Sequence, residues 1–317
     1  MPPKRFALIG AAGYIAPRHM KAIKDTGNVL AAAMDPHDSV GVIDSYFPGA
    51  DFFTEFERFD RHVDKLRRKG SKIDYVSICS PNYLHDAHIR FALRSQAHAI
   101  CEKPTVLNPW NVDALAEIER ETGYRVFSIH QLRLHPTLIA LRGRVLAQQD
   151  VVHDVEVTYI TSRGSWYHTS WKGDLAKSGG IATNIGLHFF DMLLWAFGNV
   201  HQSIVHVNRV DCAAGLVCLA RARVRWFLSI DANYLPEAAR LAGKRSYRSI
   251  VVDGEEVEFS DGFSEIHTES YRQILDGNGL GLDVARAVVQ TVSDIRHAPV
   301  AALLGDFHPL CLGVHAV

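Results

Sequence analysis

The fold is decided by one stretch, residues 74–104, which reads DYVSICSPNYLHDAHIRFALRSQAHAICEKP. It contains two short apolar runs, 75–79 and 97–101, and the segment between them places apolar residues at helical spacing. Runs rich in Val and Ile are typical of buried parallel strands, so the stretch predicts a strand, a helix and a second strand. In open parallel sheets the ligand lies outside the carboxyl ends of the strands. We therefore expect the two polar tips, Ser80-Pro81-Asn82 and Glu102-Lys103-Pro104, to face one crevice.

Lys103, at the second tip, is a candidate catalytic residue. A lysine at the end of a strand is most often a solvated surface residue. Here Pro104 rigidifies the backbone that follows, and a nucleotide-binding signature stands at the start of the same predicted sheet. Both observations favour an amine held in the crevice, where it can exchange a proton with a ligand.

That signature is the loop GAAGYIA at residues 10–16, between a predicted strand at 6–9 and a predicted helix at 17–26. A glycine-rich turn lets the backbone approach a pyrophosphate, whose charge is favoured by the helix N-terminus. A second predicted strand, 29–34, ends in Asp35, which is suitably placed to bind the adenosine ribose hydroxyls. Because its charge would repel a 2′-phosphate, the sequence predicts NAD rather than NADP. The alternative role for Asp35 is turn formation with Pro36.

The pattern along the chain predicts two domains. Strands at 51–53 and 124–129 complete a six-stranded, doubly wound parallel sheet, and residues 1–130 form a Rossmann domain. From residue 151 the runs become longer and alternating, which predicts a large, mostly antiparallel open sheet in a second domain, 131–317. The fold class is therefore α/β. The other predicted helices of the first domain are 39–47, 55–69, 83–95 and 108–122, and the strands of the second are 155–162, 203–210, 216–231 (one or two strands) and 248–257.

A helix predicted at 181–197 places Asn184, His188 and Asp191 on one face, because they are spaced four and then three residues apart. His188 is the second candidate for chemistry, although a histidine among apolar neighbours is often a core residue. The preceding loop, 162–174, holds three aromatic residues and two cations. This composition suits a sugar, a ring or a phosphate, and an exposed loop with structural tryptophans explains it equally well.

Composition limits the classes of function. Lys and Arg total 34 against 35 Asp and Glu, and the net charge of -1 argues against a surface for nucleic acid or anionic membrane. Because no apolar run is long enough to span a bilayer or to act as a signal segment, a cytoplasmic location is expected. The five cysteines form no CxxC pair, which is typical of reduced thiols. The 17 histidines show no metal-ligand spacing, so no metal is predicted.

Together these motifs resemble the Gfo/Idh/MocA family of nicotinamide-dependent sugar dehydrogenases over nearly the whole chain. In the family's order, the chain has the 10–16 loop with Arg18-His19, Ser80-Pro81-Asn82 with His85, Glu102-Lys103-Pro104, and Gly179-Gly180 leading to His188 and Asp191. More narrowly, GAAGYIAPRH at 10–19, SRGSWY at 162–167 and SWKGD at 170–174 are similar to the bacterial UDP-N-acetyl-2-amino-2-deoxyglucuronate 3-dehydrogenases.

The resemblance implies an NAD-linked oxidation at C3 of UDP-N-acetylglucosaminuronate (UDP-GlcNAcA), in the biosynthesis of diacetamido mannuronic acid for lipopolysaccharide O-antigen or another surface polysaccharide. It also implies that the second domain binds the substrate and forms sheet-mediated homotetramers. The implied cofactor contacts are Gly10, Ala12, Gly13, Tyr14, Ile15, Asp35, Ser80, Asn82, His85, Glu102 and Lys103.

One departure from the family pattern bears on catalysis. Most members have an aspartate where this chain has Asn184, and losing that carboxylate removes a charge that would keep a neighbouring lysine protonated. We expect Lys103 to be the general base on the 3-hydroxyl, with His188 as the alternative and Asn184 orienting the sugar. The amine of the first domain and the imidazole of the second would then face one hydroxyl.

The remaining predicted substrate contacts rest on residue chemistry. Arginines pair with diphosphate and carboxylate oxygens, and structural salt bridges are the alternative. Aromatic rings are expected to pack on the ring faces of the substrate. The predicted substrate contacts are Lys103, Gln131, Arg133, Arg163, Tyr167, Trp171, Asn184 and His188.

Two other functions remain open. One is an NAD-dependent dehydrogenase of another sugar or of a cyclitol such as inositol. The other is a nucleotide-sensing protein of the same fold without turnover. The presence of both Lys103 and His188 counts against the sensor, because a binding protein does not need a proton acceptor.

Overall fold

The computed structural model describes residues 2–148, 150–259 and 265–314. The chain divides into two compact units, residues 1–131 with 264–286 and residues 132–263 with 287–317. The first boundary lies next to the one predicted at 130. The return of 264–286 to the first unit was not predicted, because the second domain was expected to run from 131 to 317 without interruption.

The described residues form two six-stranded sheets. The first has the order β3-β2-β1-β4-β5-β6, with every neighbouring pair parallel. The second has the order β12-β11-β7-β10-β9-β8 and is antiparallel except between β7 and β10. The α/β fold class, with one parallel and one mostly antiparallel sheet, is confirmed. The strands are β1 Arg5–Ile9, β2 Val29–Met34, β3 Asp51–Phe53, β4 Tyr75–Ile78, β5 His98–Cys101, β6 Val126–Ser128, β7 His153–Thr161, β8 Val200–Asn208, β9 Cys212–Leu219, β10 Ala222–Ser229, β11 Ser246–Val252 and β12 Glu255–Glu256.

Helices follow most of the strands of the first unit and flank the second sheet. The helices are α1 Ala16–Asp25, α2 Phe56–Arg68, α3 His85–Arg94, α4 Pro109–Thr122, α5 Pro136–Ala147, α6 Trp166–Thr169, α7 Leu175–Ser178, α8 Gly180–Asn184, α9 Leu187–Phe197, α10 Glu237–Leu241, α11 Ile266–Leu275, α12 Leu282–His297 and α13 Cys311–Val314. Short 3₁₀ turns lie at Gly41–Ser45, Asn82–Leu84, Gln131–Leu134 and Ala232–Tyr234. The helix predicted at 39–47 is therefore only a 3₁₀ turn.

The helix predicted at 181–197 is broken in the structure. α8 ends at Asn184 and α9 begins at Leu187. A Cβ on the intervening Gly186 would lie 2.4 Å from Leu228 Cδ1, on β10, and 2.7 Å from the carbonyl oxygen of Ala182. The chain therefore packs against the sheet at a distance that only glycine allows. Asn184 belongs to a different helix from His188, so the single shared face that was predicted does not form.

Each unit has its own apolar core. In the first, α1 and α11 cover one face of the parallel sheet, and the rings of Phe6 and Tyr271 stack with centroids 5.8 Å apart. In the second, α9 packs on the sheet, and the rings of Phe190 and Trp226 meet edge to face at 5.2 Å. Aromatic pairs of this kind add about 1 kcal/mol to the stabilisation from burial. Packing within the protein therefore stabilises the parallel sheet of the first unit without a contribution from a ligand.

A helix that crosses a membrane must be both long and apolar. Within the part of the chain that the structure describes, no single helix meets both conditions. A pair bent by 47°, Leu175–Asn184 with Leu187–Phe197, meets them jointly by length and composition.

Candidate active site

The order of the first sheet reverses between β1 and β4, so the carboxyl ends of these strands form the topological switch point. Gly10 follows β1 with φ of 90°, a left-handed conformation that favours glycine. A Cβ on Gly10 would lie 2.6 Å from the carbonyl carbon of Cys79, the residue after β4. The two strand ends therefore touch at Gly10, and the loop to α1 leaves a concave backbone cradle in front of the helix.

The predicted cofactor loop lies in this cradle. The N–H of Gly13 donates to the carbonyl of Gly10 at 3.1 Å, and a Cβ on Gly13 would lie 3.1 Å from the same oxygen. Tyr14 is 88% exposed, whereas Ile15 packs on the core of the unit. α1 starts directly after the loop, so its N-terminal N–H groups can stabilise a phosphate.

Asp35 makes the turn-forming contact that the sequence left as the alternative, and it also binds the 10–16 loop. Its Oδ1 accepts from the N–H of His37 at 2.9 Å, which is the turn-forming contact, and its Oδ2 accepts from the N–H of Ala12 at 2.9 Å. A carboxylate has about four acceptor positions, so both oxygens keep the capacity to accept from a ribose hydroxyl. The cradle, the helix N-terminus and this carboxylate are the groups that an NAD molecule requires.

The two predicted tips are held together by His85. Its side chain is buried, and its ring nitrogens lie 2.7 Å from the carbonyl of Ser80 and 2.6 Å from that of Pro104. The Ser80 hydroxyl lies 2.8 Å from Nδ1 of His88, whose pKa burial lowers to about 4. His85 therefore contacts backbone rather than an open crevice, and we reassign it from a cofactor contact to a positioning residue.

Glu102 is also buried and is bound from three sides. Its Oε1 accepts from Nε2 of His19 at 3.0 Å and from Nε2 of His267 at 3.2 Å, and its Oε2 accepts from the Lys103 N–H at 3.2 Å. Burial would raise the pKa of this carboxyl, but the hydrogen bonds from the two histidines hold it well below its usual range. Glu102 therefore binds two imidazoles and the backbone N–H of Lys103, a set of partners that was not foreseen.

In the second unit, Arg133 does not have the environment predicted for a diphosphate ligand. Its Nε and Nη2 donate to the Asp191 carboxylate in a bidentate salt bridge, with the shortest distance 2.7 Å. The two side chains are 15% and 1% exposed. The structural salt bridge, which the sequence left as the alternative, is the arrangement found. The neighbouring Gln131 stands in the 3₁₀ turn Gln131–Leu134.

Tyr167 also differs from the prediction. Its ring is 2% exposed and lies in the apolar core, so it does not offer a face on which a sugar can stack. Its hydroxyl accepts from Nδ2 of Asn184 at 2.6 Å, and burial raises the pKa of this phenol. Tyr167 thus orients Asn184, while His188 lies half-buried near the start of α9.

In the loop 162–174, which was predicted to bind the substrate, a cation packs against aromatic rings. Lys172 Nζ lies 5.5 Å from the centre of the Trp166 ring and 5.0 Å from that of Trp171. Burial, together with the charge of Arg163, lowers the pKa of Lys172. Arg163 is exposed. An anion placed near Lys172 would favour the charged form of its amine, so this loop suits an anionic ligand.

Sequence reasoning missed several of these residues. Lys172 was counted as a loop cation but was not nominated, although its position directly after Trp171, in a loop that also holds Trp166, was a usable signal. Tyr271 and His267 carried no local signal, because the chain returns to the first unit only at 264–286. His19 was noted only as part of a motif.

A parallel sheet in the order 3-2-1-4-5-6, with a glycine cradle at the switch point and an acid after the second strand, defines a dinucleotide-binding oxidoreductase. Two family descriptions agree: "Oxidoreductase family, NAD-binding Rossmann fold" matches residues 4–130, and the C-terminal alpha/beta domain of the same family matches 150–234. The chain belongs to the Gfo/Idh/MocA oxidoreductase family, and its cofactor is NAD.

Solved structures give a more particular likeness. The WlbA (WbpB) dehydrogenase from Thermus thermophilus, in complex with NAD and alpha-ketoglutarate, is 52% identical, with a TM-score of 0.94, covering 97% of this chain and 99% of that chain. The same enzyme in complex with NAD and UDP-GlcNAcA gives 52% identity and a TM-score of 0.93 over the same shares of both chains.

Curated relatives are more distant. The inositol 2-dehydrogenase of Rhizobium meliloti is 29% identical over 201 residues, which is 63% of this chain and 57% of that protein. The chain therefore spans little more than half the length of this relative.

Proposed function

We propose that the protein oxidises the C3 hydroxyl of UDP-GlcNAcA to the 3-keto sugar, with NAD as the hydride acceptor. One observation carries the proposal: 52% identity over 97% of the chain to a dehydrogenase solved with NAD and UDP-GlcNAcA. Identity at this level over both domains favours a shared substrate as well as a shared fold. The geometry of the two units supports it separately.

In the first unit, the backbone of 10–16 and the N-terminus of α1 would hold the NAD pyrophosphate, and Asp35 would bind the adenosine ribose. NAD, when bound, supplies the hydride acceptor. Lys103 would take the proton of the 3-hydroxyl, and Ser80, Asn82 and Glu102 would support the cofactor side of the crevice. His188 is the alternative acceptor of that proton.

In the second unit, Arg163 and Lys172 would bind the diphosphate or the carboxylate of the substrate, and Trp171 would pack on a ring. Asn184, held by Tyr167, would donate or accept a hydrogen bond at the sugar. Further parts of the proposal are that the product feeds the synthesis of diacetamido mannuronic acid for a surface polysaccharide, that the enzyme is a cytoplasmic homotetramer, and that the domain functions divide near residue 130.

The test is an assay of NAD with UDP-GlcNAcA, followed by nicotinamide absorbance and by mass spectrometry of the sugar. Single-turnover amounts of enzyme and a second series with alpha-ketoglutarate detect product even if the reduced cofactor stays bound. The 3-keto sugar is the expected product. If only a free sugar is oxidised, the substrate assignment is wrong; if no sugar reacts, the sensor reading is favoured.

The proton acceptor is identified by comparing pH–rate profiles of the wild type with Lys103→Met and His188→Asn. The variant that lacks the proton acceptor should have a kcat at least about 100-fold below that of the wild type, because general base catalysis contributes factors of this size. Full activity in either variant removes that residue from the mechanism.

A second candidate is the oxidation of a cyclitol. It is favoured by the 29% identity to an inositol 2-dehydrogenase. The same assay with myo-inositol separates the two, because a cyclitol lacks the diphosphate that Arg163 and Lys172 would bind.

A further inference from the structure

A chain of buried polar groups lies in the first unit, and of its members only Glu102 is among the proposed cofactor contacts. Ser77 Oγ lies 2.6 Å from Tyr271 Oη, which lies 2.7 Å from Nδ1 of His19. Nε2 of His19 and Nε2 of His267 both reach Oε1 of Glu102, at 3.0 and 3.2 Å. We refer to these five residues as the Glu102 cluster. All five are at least nine-tenths buried.

One assignment of protons satisfies all the hydrogen bonds within the Glu102 cluster. Ser77 donates to Tyr271, Tyr271 donates to Nδ1 of His19, and each histidine donates from Nε2 to the carboxylate. Both imidazoles are then neutral and Glu102 is ionised. Burial lowers the pKa of His19 and therefore acts in the same direction. Among the described residues, Nδ1 of His267 is buried and has no hydrogen-bond partner.

The remaining oxygen of Glu102 leads to Lys103. Oε2 accepts from the backbone N–H of Lys103 at 3.2 Å. His267 and Tyr271 stand on α11, in the segment that returns to the first unit more than 160 residues after Glu102. Two imidazoles bind Oε1 and restrict rotation of the carboxylate, so Oε2 stays bound to the Lys103 N–H. A buried charge loses its partners only at a cost of several kcal/mol.

We infer that Glu102 is a positioning residue for Lys103, and that His19 and His267 set the orientation of its carboxylate. The inference rests on the proposed function only for the role given to the Lys103 amine. α11 then contributes to catalysis indirectly. It supplies His267, the second imidazole that holds Glu102 and so restricts the backbone at the end of β5. A shift of about 1 Å at a catalytic group can cost about 100-fold in rate, so a lock of this kind has a measurable effect.

A bound metal ion is the alternative to the hydrogen-bonded cluster. His19, Glu102 and His267 place one ligand atom each within 4.8 Å of one another, a set that could hold a metal ion. Two histidines and a carboxylate suit divalent transition metals. The closed hydrogen-bond chain favours the metal-free cluster, because the two Nε2 atoms that would bind the metal already donate to Glu102. Metal content of the purified protein decides between them.

The kinetic test compares His267→Leu, His267→Gln and Ile274→Ala. Leucine removes the donor, glutamine keeps an N–H near the Nε2 position, and Ile274 is a buried core residue of the same helix that is absent from the cluster. His267→Leu should lower kcat about 10-fold with KM values for NAD and sugar nearly unchanged. His267→Gln should recover most of this loss, and Ile274→Ala should lower the melting temperature without lowering kcat.

The second measurement does not need turnover. Hydrogen exchange of the Lys103 amide reports directly on its bond to Glu102 and is followed in the same three variants. Exchange should accelerate about 10-fold in His267→Leu and stay at the wild-type rate in Ile274→Ala, since only the former loosens the acceptor. This arm remains decisive if UDP-GlcNAcA is not the substrate, so the two proposals fail separately.

Three results would overturn the inference. The first is an equal fall of kcat in His267→Leu and Ile274→Ala at equal loss of stability, which would make the cluster merely structural. The second is unchanged exchange of the Lys103 amide in His267→Leu. The third is one metal ion per chain in the wild type that is lost in His19→Gln, which would replace the hydrogen-bonded cluster by a metal site.

Discussion

At the scale of single residues, Gly10 is a position in the first unit where any side chain would be strained. Gly10→Ala adds a Cβ 2.6 Å from the Cys79 carbonyl carbon at a φ of 90°. We expect a loss of about 1 to 3 kcal/mol in the free energy of unfolding. NADH affinity should fall about 10-fold or more, since relieving this clash displaces the 10–16 backbone that would hold the phosphates. Urea unfolding and fluorescence titration with NADH measure the two effects.

The matched control for this prediction is Gly27→Ala. Gly27 also has positive φ, 73°, but a Cβ there would have nothing within 4 Å. It should cost about 1 kcal/mol through the backbone alone and leave NADH affinity unchanged. Equal NADH affinity of both variants would contradict the role assigned to the cradle.

Arg133 gives a second prediction at this scale. Arg133→Met leaves the Asp191 carboxylate, 1% exposed, without its bidentate partner. The free energy of unfolding should fall by about 3 to 5 kcal/mol, because breaking a buried ion pair strands a charge. Urea unfolding of Arg133→Met/Asp191→Leu should show a smaller loss than the single variant. A large rise in KM for the UDP-sugar with unchanged stability would instead restore Arg133 as a substrate ligand.

Residue types at strand tips were predictable because the chemistry is local. Asp35 directly follows one recognisable apolar run and Lys103 stands two residues after the end of another, so their place at the sheet edge could be inferred from the sequence. The partners of Arg133, Tyr167 and Glu102 could not be inferred, since they are contributed by residues 17 to 165 positions away along the chain. The sequence alone does not distinguish an arginine that pairs with a buried aspartate from one that binds a phosphate.

At the scale of elements, the break at Gly186 defines where Asn184 and His188 stand. Gly186→Ala would force a Cβ to within 2.4 Å of Leu228 Cδ1 and 2.7 Å of the Ala182 carbonyl. We expect a loss of about 1 to 3 kcal/mol from overpacking, seen as a lower midpoint in urea unfolding. Gly143→Ala, inside α5 with nothing within 4 Å, should instead stabilise by about 0.5 to 1 kcal/mol. Similar effects of the two changes would contradict this explanation of the break.

The parallel sheet was predictable at this scale and the broken helix was not. Val29–Met34 and Asp51–Phe53 are apolar runs bounded by turn residues, and they form strands with the predicted bounds. Residues 181–197 keep an apolar helical pattern throughout, so nothing in the pattern marks the break. Its cause is contact with a strand about 40 residues later, since Leu228 occupies the space that a side chain at 186 would need.

At the scale of the whole chain, acid should destabilise the protein before its carboxylates are protonated. Burial lowers the pKa of His88 and of His308 from 6.5 to about 4. The unfolded chain therefore binds more protons between pH 6.5 and 4, and stability is lost as pH falls through that window. Each histidine contributes a loss on the order of 3 kcal/mol across the window.

Urea unfolding between pH 4.5 and 8 measures this loss, and His308→Gln is the informative variant. His308 lies 2.9 Å from Thr158 Oγ1 and accepts from the Leu310 N–H, contacts that suit a neutral ring. The variant should show a shallower decline of unfolding free energy below pH 6.5. Identical pH dependence of wild type and variant would show that His308 titrates normally.

The return of residues 264–286 to the first unit has a consequence for biosynthesis. Tyr271 and Ile274 belong to the apolar core of the nucleotide-binding unit, so the ribosome must make more than four-fifths of the chain before that core is complete. Until α11 has been synthesised, the face of the parallel sheet that it covers is protected by α1 alone. Premature termination between residues 132 and 263 would leave both units incomplete, because the first would lack 264–286 and the second would lack its own later residues.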